Sequence, residues 1–335
     1  MFHGKRFNNI YQSPLIKTLL LVGIITFIIQ PAAMAQGTTG AVSLKHSFGA
    51  RGMGMGEAFT GISDDISAIW YNPAGIAQIE NRQIGAMYLL GLEDSRFGFI
   101  GYVDSFSKKG KIGLGISAFQ AGDMIIDDAD EDKEGKVSAQ DDYLILVSYA
   151  YPLYTRIADI KRRLSRYGGK KNVVDSQLLF GLTFKVLSSR LIEKYKATAF
   201  CGDFGLHWSF SQRRFGAGIV VQNVGGEIKY EEEGDPLPLS IRGGLSSRLM
   251  SSEEHRIIGA FDVVKEKDMD VRENVGVEYL YKESFAIRVG YKFGYDLDSL
   301  AGGIGFIVRG FQLDYAFGLM GDLDPTHRIS IMYSF

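Results

Sequence analysis

A chain of 335 residues with 41 Gly, 22 Phe and 17 Tyr against 7 Pro is poorly suited to a helical protein, because each glycine inside a helix costs about 1 kcal/mol relative to alanine, whereas aromatic residues favour strands. The formal charge of −2 provides no basic excess for a nucleic-acid partner, and the single cysteine, Cys201, excludes an intramolecular disulfide.

In chain order, residues 1–35 carry Lys5, Arg6 and Lys17 without an acid, then the apolar run Leu19 to Ile29, then Pro31-Ala32-Ala33-Met34-Ala35. This order predicts a secretory signal peptide with an Ala-x-Ala cleavage site. Residues 36–81 lack the periodicity of a membrane strand. Within them Gly49, Gly52, Gly54 and Gly56 allow tight turns and close approach to surrounding walls. Asp64-Asp65, ahead of Ile66-Ser67-Ala68, can open a short helix with an aspartate on its first free amides. Asn72-Pro73-Ala74-Gly75 predicts a turn in which Gly75 tolerates a left-handed geometry. The Gly-x-Gly-x-Gly run at 52–56 has no strand before it and no βαβ unit around it, so no nucleotide and no other cofactor is expected.

From residue 82 the pattern becomes an alternation of period two. Fourteen segments carry it: 82–91, 94–106, 110–120, 141–154, 176–188, 196–210, 213–223, 237–248, 255–265, 271–281, 284–293, 299–309, 310–318 and 327–335. In one of them Phe311, Leu313, Tyr315 and Phe317 oppose Gln312, Asp314, Ala316 and Gly318; in the last, Ile329, Ile331, Tyr333 and Phe335 share a face. Strands of about 9–11 residues span a bilayer, while soluble strands cluster near 5–6. The expected fold is therefore all-β, a transmembrane antiparallel β-barrel of about 14 strands over 82–335, in the outer membrane of a Gram-negative-type bacterium. The alternative is a secreted sandwich, and 12 or 16 strands stay open because the Gly-rich stretch 299–318 hides its turn. The terminal aromatic Phe335 resembles the signal read by the barrel-assembly machinery, and outer-membrane lipid is the expected surroundings.

With both ends on the periplasmic side, 127–142, 224–236 and 319–326 become outward loops, the first two acidic. Residues 155–172, inward, place Ile157, Ile160, Leu164 and Tyr167 at helical spacing among basic residues, so an amphipathic helix competes with a solvated basic loop. Lys185, Asp203, His207, Arg242, Asp262, Arg272, Glu278, Arg288, Lys292 and Asp314 fall on the weaker face of their strands, where they either pair or coat a wet lumen. Trp208, Tyr88, Tyr149, Tyr279 and Tyr291 suit interfacial girdles. The five histidines show no metal-ligand spacing, and the acidic run from Asp127 to Asp132 lacks the glycine and distal glutamate of a calcium loop, so no metal is expected.

The block Gly49-Ala50-Arg51-Gly52-Met53-Gly54, followed by Asp64-Asp65, Trp70 and Tyr71-Asn72-Pro73-Ala74-Gly75, resembles the N-terminal block of the PorV/PorQ group within the FadL-like outer-membrane proteins. The resemblance implies that residues 36–81 fold into the barrel as a hatch, with Gly49, Arg51, Gly52, Gly54, Gly56, Asp64, Asp65, Trp70, Asn72, Pro73 and Gly75 as its characteristic residues. It implies a part in protein secretion or cell-surface assembly, with type IX secretion-system proteins or secreted cargo as partners. The alternative within the same resemblance is a passive channel for a hydrophobic small molecule, which passes the hatch and leaves through a lateral gap. Acidic outward loops, with no exposed greasy groove, tilt the expectation toward the secretion role.

Overall fold

The structure is a computed structural model that describes residues 39–107, 110–128, 133–161 and 170–335; the signal-peptide reading of 1–35 lies outside them. Fourteen strands close into one antiparallel barrel. They are β1 Gln83–Leu90, β2 Arg96–Ser107, β3 Gly110–Gln120, β4 Gln140–Lys161, β5 Lys170–Leu191, β6 Tyr195–Phe210, β7 Phe215–Gly225, β8 Ser240–Ser251, β9 His255–Glu266, β10 Val271–Tyr281, β11 Phe285–Phe293, β12 Asp298–Val308, β13 Phe311–Met320 and β14 Leu323–Ser334. Closure comes from β1 on β14, in register from Gln83 opposite Ser334 to Leu90 opposite His327. A sheet without edges leaves no strand amide unpaired in hydrocarbon, which is the condition for crossing a bilayer with strands.

The alternation resolves as a lipid face and a packed face. Phe204, Phe317, Ile329 and Ile331 point outward and are exposed, as are Tyr88, Tyr149, Tyr291 and Trp208. Tyr279 is half-buried and its hydroxyl lies 2.8 Å from Nδ1 of His255. The multi-pass barrel, with apolar residues around its outside, is built for an outer membrane.

Three local expectations change. The hidden turn between β12 and β13 is Arg309-Gly310, both with positive φ. The outward loops carry small hairpins, Asp123–Asp128 with Lys133–Ser138 and Glu227–Lys229 with Gly234–Pro236. Neither alternative for 155–172, the amphipathic helix or the solvated basic loop, is formed where the chain is described: β4 and β5 stay paired out to Lys161 opposite Lys170, while residues 162–169 lie outside the described residues. β4 loses its β3 neighbour after Ala150, and β5 has no β6 partner before Gln177, so the pair continues past the rim as a two-stranded ribbon. Cross-strand hydrogen bonding has overridden the helical spacing of Ile157 and Ile160.

Inside the ring lies the N-terminal segment. It contains a 3-10 turn at Val42–Lys45, α1 at Ala50–Gly54, α2 at Ala68–Tyr71 and a second 3-10 turn at Pro73–Gln78. Phe48, Met55, Phe59, Ile69, Tyr71 and Ile76 are fully enclosed and pack with Phe97, Phe99, Leu146 and Leu187 of the wall. Each such side chain contributes about 1.5–3 kcal/mol by leaving water, so the protein's main apolar core is inside the barrel and the segment is its filling.

The wall meets this filling with bare backbone. A Cβ on Gly290 would stand 1.9 Å from the amide nitrogen of Gly56, and one on Gly181 would stand 2.1 Å from that of Ala74. Gly216 and Gly218 likewise receive the carbonyls of Gly61 and Thr60. Much of the high glycine content is thus the seating of a plug against strands.

Candidate functional site

The plug, or hatch, enters at one end of the barrel and leaves at the other. Gly40 donates its amide to the Pro236 carbonyl in the 226–239 connection, 3.1 Å away, while Gln83 begins β1 beside the end of β14. The two ends of the wall lie together at the short-turn end, whereas Gly40 lies at the opposite, long-loop end. Short turns mark the periplasmic end of such barrels, so the hatch runs from the extracellular mouth down to the periplasmic rim.

Arg51 of α1 is the centre of its fastening. Its guanidinium meets Asp64 at 2.5 Å and Asp65 at 3.0 Å within the hatch, and both carboxylate oxygens of Glu278 on β10 at 2.8 and 3.0 Å. Glu278 in turn receives Arg288 at 2.7 Å, and Arg288 reaches Asp314 at 2.7 Å. Each carboxylate in this chain has a cation in contact, which is the condition under which buried charge is tolerable. Asp65 also accepts from the Ser67 amide at 2.9 Å. The Asp65 carbonyl also accepts from the Ala68 amide at 2.9 Å, so the aspartate leads into the helix assigned from Ala68.

Other attachments surround the first. Lys185 pairs with Asp203 at 2.7 Å, donates to Asn223 at 2.8 Å and lies 4.4 Å from the centroid of Trp70. Asp262 accepts the amides of Phe59 and Thr60, at 3.2 and 2.9 Å. His207 contacts the Gly61 carbonyl at 3.0 Å, and Asn72 donates to the Leu206 carbonyl at 3.0 Å while accepting from Ala74 at 3.2 Å. Pro73 opens the 3-10 turn at its first position. Gly75 is not left-handed; it is required there because a Cβ would fall 2.1 Å from the Ser63 carbonyl oxygen. Gly49 and Gly56 do take positive φ, whereas Gly52 and Gly54 lie in α1, under Tyr71 and against Gly303.

The ten inward-facing strand residues therefore occupy the lumen, nine of them buried and Arg272 half-buried. They divide between the hatch fastenings and a vestibule. Phe335 packs outside by stacking on Tyr333 and donates its amide to the Arg82 carbonyl at 3.0 Å. The acidic run 127–132 lies mostly outside the described residues.

The vestibule is a cavity of about 430 Å³ on the extracellular side of the hatch. Apolar groups from Met53, Leu89, Phe97, Phe119, Met269 and Met320 share its lining with Glu57, Arg242, Lys292 and Arg328. Glu57, Ser47 and Arg328 were missed in the sequence: Arg328 shares the inward parity of Ser330, which could have revealed it, but nothing near Gly56 marks Glu57. Burial pushes the Glu57 carboxyl upward, yet Lys292, Arg242 and Arg328 outweigh burial and hold it at about 2. Burial, followed by Arg328, lowers His46 to about 4, so its ring is neutral at pH 7. A second hollow, about 470 Å³ and almost wholly apolar, opens on the lipid face between Leu206, Trp208, Ala217, Ile219, Gly243, Leu245 and Phe261. It backs onto the strands where Gly61 presses from within.

Fold and site together define a closed outer-membrane barrel occluded by its own N-terminal hatch. Three solved barrels share the architecture: the Ralstonia pickettii toluene transporter TbuX (12% identity, TM-score 0.55, covering 86% of this chain and 98% of that one), the CymD monoaromatic hydrocarbon channel (13%, 0.55, 86% and 98%) and a Pseudomonas aeruginosa FadL homologue (11%, 0.50, 87% and 99%). A family model described as "Uncharacterised protein family (UPF0164)" matches residues 30–152. No curated protein matches the chain. These matches correct the assignment to the PorV/PorQ group and the type IX secretion role drawn from it: the barrels matched along nearly their whole length are a toluene transporter, a monoaromatic hydrocarbon channel and a FadL homologue. The glycine-rich block and the Asn-Pro-Ala-Gly turn that suggested PorV/PorQ here seat the hatch against the wall.

Proposed function

We propose that this protein is a passive channel through which small hydrophobic molecules cross the outer membrane. The observation that carries the reading is the arrangement along the lumen: a partly apolar vestibule open to the outside, closed below by a hatch held by non-covalent contacts. Such a device needs only a binding surface and an obstruction that can shift. The acidic outer loops, which suggested a protein-handling role, give way beneath the rim to a basic, aromatic chamber, so they do not set the chemistry of the passage. The apolar hollow on the lipid face, one strand layer from the hatch loop at Gly61, supports lateral release into the membrane. Among the described residues the ladder itself is closed, with its β6–β7 register shifting between Gly202 and Phe204.

The test is flux. Liposomes containing the purified barrel should take up labelled toluene faster than protein-free liposomes, without an energy source and with saturation. Equal uptake with and without protein overturns the reading.

A further inference from the structure

The vestibule carries more positive charge than a neutral hydrocarbon would require. Six cationic side chains line it, Lys45, Arg96, Arg242, Arg272, Lys292 and Arg328, against the carboxylates of Glu57 and Glu266. Glu266 is shared between Arg272 at 3.5 Å and Lys45 at 3.9 Å, Glu57 receives Lys292 at 3.3 Å, and Arg242 stands 3.5 Å from Asp262 behind the lining. Counting Asp262 as well still leaves three more cations than carboxylates. Arg328 has no carboxylate within ion-pair distance among the described residues; its Nη1 donates to the carbonyl and hydroxyl of Ser47, both at 2.9 Å. Its Nε, although the residue is 4% exposed, has no hydrogen-bond partner, and the Nε of the buried Arg242 has none either. Buried guanidinium groups left in this state are costly, and a bound anion removes the cost.

Beside the cations lie flat apolar surfaces. The His46 ring stacks on Phe119 with 5.0 Å between centroids and is 5.6 Å from Phe97. Tyr295 has the guanidinium of Arg272 at 4.5 Å and the ammonium of Lys292 at 5.2 Å from its centroid. Neutral His46 adds a ring to this surface and no charge. Aromatic faces prefer aromatic partners at such separations, and a cavity of about 430 Å³ holds a compact molecule rather than a polymer.

We infer that the vestibule binds an aromatic carboxylate, its carboxylate facing Arg328 and Arg242 and its ring lying among His46, Phe97 and Phe119. The inference rests on the channel reading and narrows its substrate class: the charged ligand is recognised, and its neutral analogue is tolerated but not preferred.

The experiment titrates the full-length barrel in detergent by calorimetry with sodium benzoate, with benzamide and with sodium hexanoate, against a chloride background. Benzoate should bind at least about tenfold tighter than benzamide and than hexanoate, weakening as salt rises. Arg328→Gln should weaken benzoate about tenfold and remove most of its advantage over benzamide. Equal binding of benzoate and benzamide overturns the anion assignment, and equal binding of benzoate and hexanoate overturns the aromatic part. These ligand comparisons use the unaltered protein, so they stand whether or not Arg328→Gln assembles. Toluene flux with no benzoate preference would sink this inference alone, whereas absence of flux sinks the channel reading separately.

Discussion

Replacing Arg51 with Ala should release the hatch while sparing the barrel. Arg51 holds three carboxylates, two in the hatch and Glu278 on the wall. Asp65 and Glu278 are buried, and among the described residues removing the guanidinium leaves Asp65 with no cation in contact and Glu278 with Arg288. Breaking a buried pair from one side costs about 3–5 kcal/mol. Asp64 is 38% exposed at its side chain and regains water, so the lower end of that range applies. At about 1.4 kcal/mol per factor of ten, 3 kcal/mol raises the population of displaced hatch roughly a hundredfold. The barrel ladder does not use Arg51, so the variant should still run as a folded, heat-modifiable barrel. Limited proteolysis should then cut within 39–81 much faster than in the parent, and toluene flux should rise. A hatch as protease-resistant as the parent's in Arg51→Ala would refute the argument that this ion network holds it.

Three further outcomes are expected. Gly290→Ala forces a methyl against the Gly56 amide and should destabilise hatch seating by about 1–3 kcal/mol or more; in a Trp208→Phe background Trp70 is the sole tryptophan, and its emission should shift to the red. Hatch stability should fall in two stages with acid. His46, at about 4 in the folded chain against 6.5 ordinarily, withdraws stability as pH drops from about 6.5 to 4, because the displaced segment takes up the proton first. Glu57, at about 2 against 4.5, withdraws more between about 4.5 and 2; Trp70 emission against pH reads both stages, and His46→Gln should remove the upper one. Gly243→Leu projects into the outer hollow, where a Cβ meets nothing within 4 Å; it should leave thermal stability unchanged and slow flux, and unchanged flux would count against lateral release there.

The barrel was legible because lipid imposes a strict rule on each strand: period two, a length near ten, apolar residues outward. That rule also placed Lys185, Asp262, Glu278 and Arg288 inside, since parity alone decides the face. It could not show which of them pair, because Glu278 meets Arg288 across neighbouring strands and Arg51 across more than two hundred positions. The ribbon at 151–161 and 170–176 was misread for a related reason: Ile157 and Ile160 have helical spacing in their own segment, and the competing partner strand is visible only once β4 and β5 are in register. Gly75 was recognised as necessary but for the wrong cause, since the obstacle is the Ser63 carbonyl rather than its own φ. The function was misjudged by weighing the loops that the sequence exposes, Glu231 to Glu233 among them, over a vestibule assembled from residues as distant as Glu57 and Arg328.

The most direct test of the account locks the hatch to the wall reversibly. Gly54 of the hatch and Gly303 of the wall face each other so closely that a Cβ on either lies 3.2–3.3 Å from the other's Cα, so Gly54→Cys with Gly303→Cys, in a Cys201→Ser background, is the pair to cross-link by oxidation. Toluene flux through this barrel should drop to the protein-free level when the disulfide is formed and recover when it is reduced. Undiminished flux with the hatch covalently tethered would show that solutes cross without moving it, and would contradict the account.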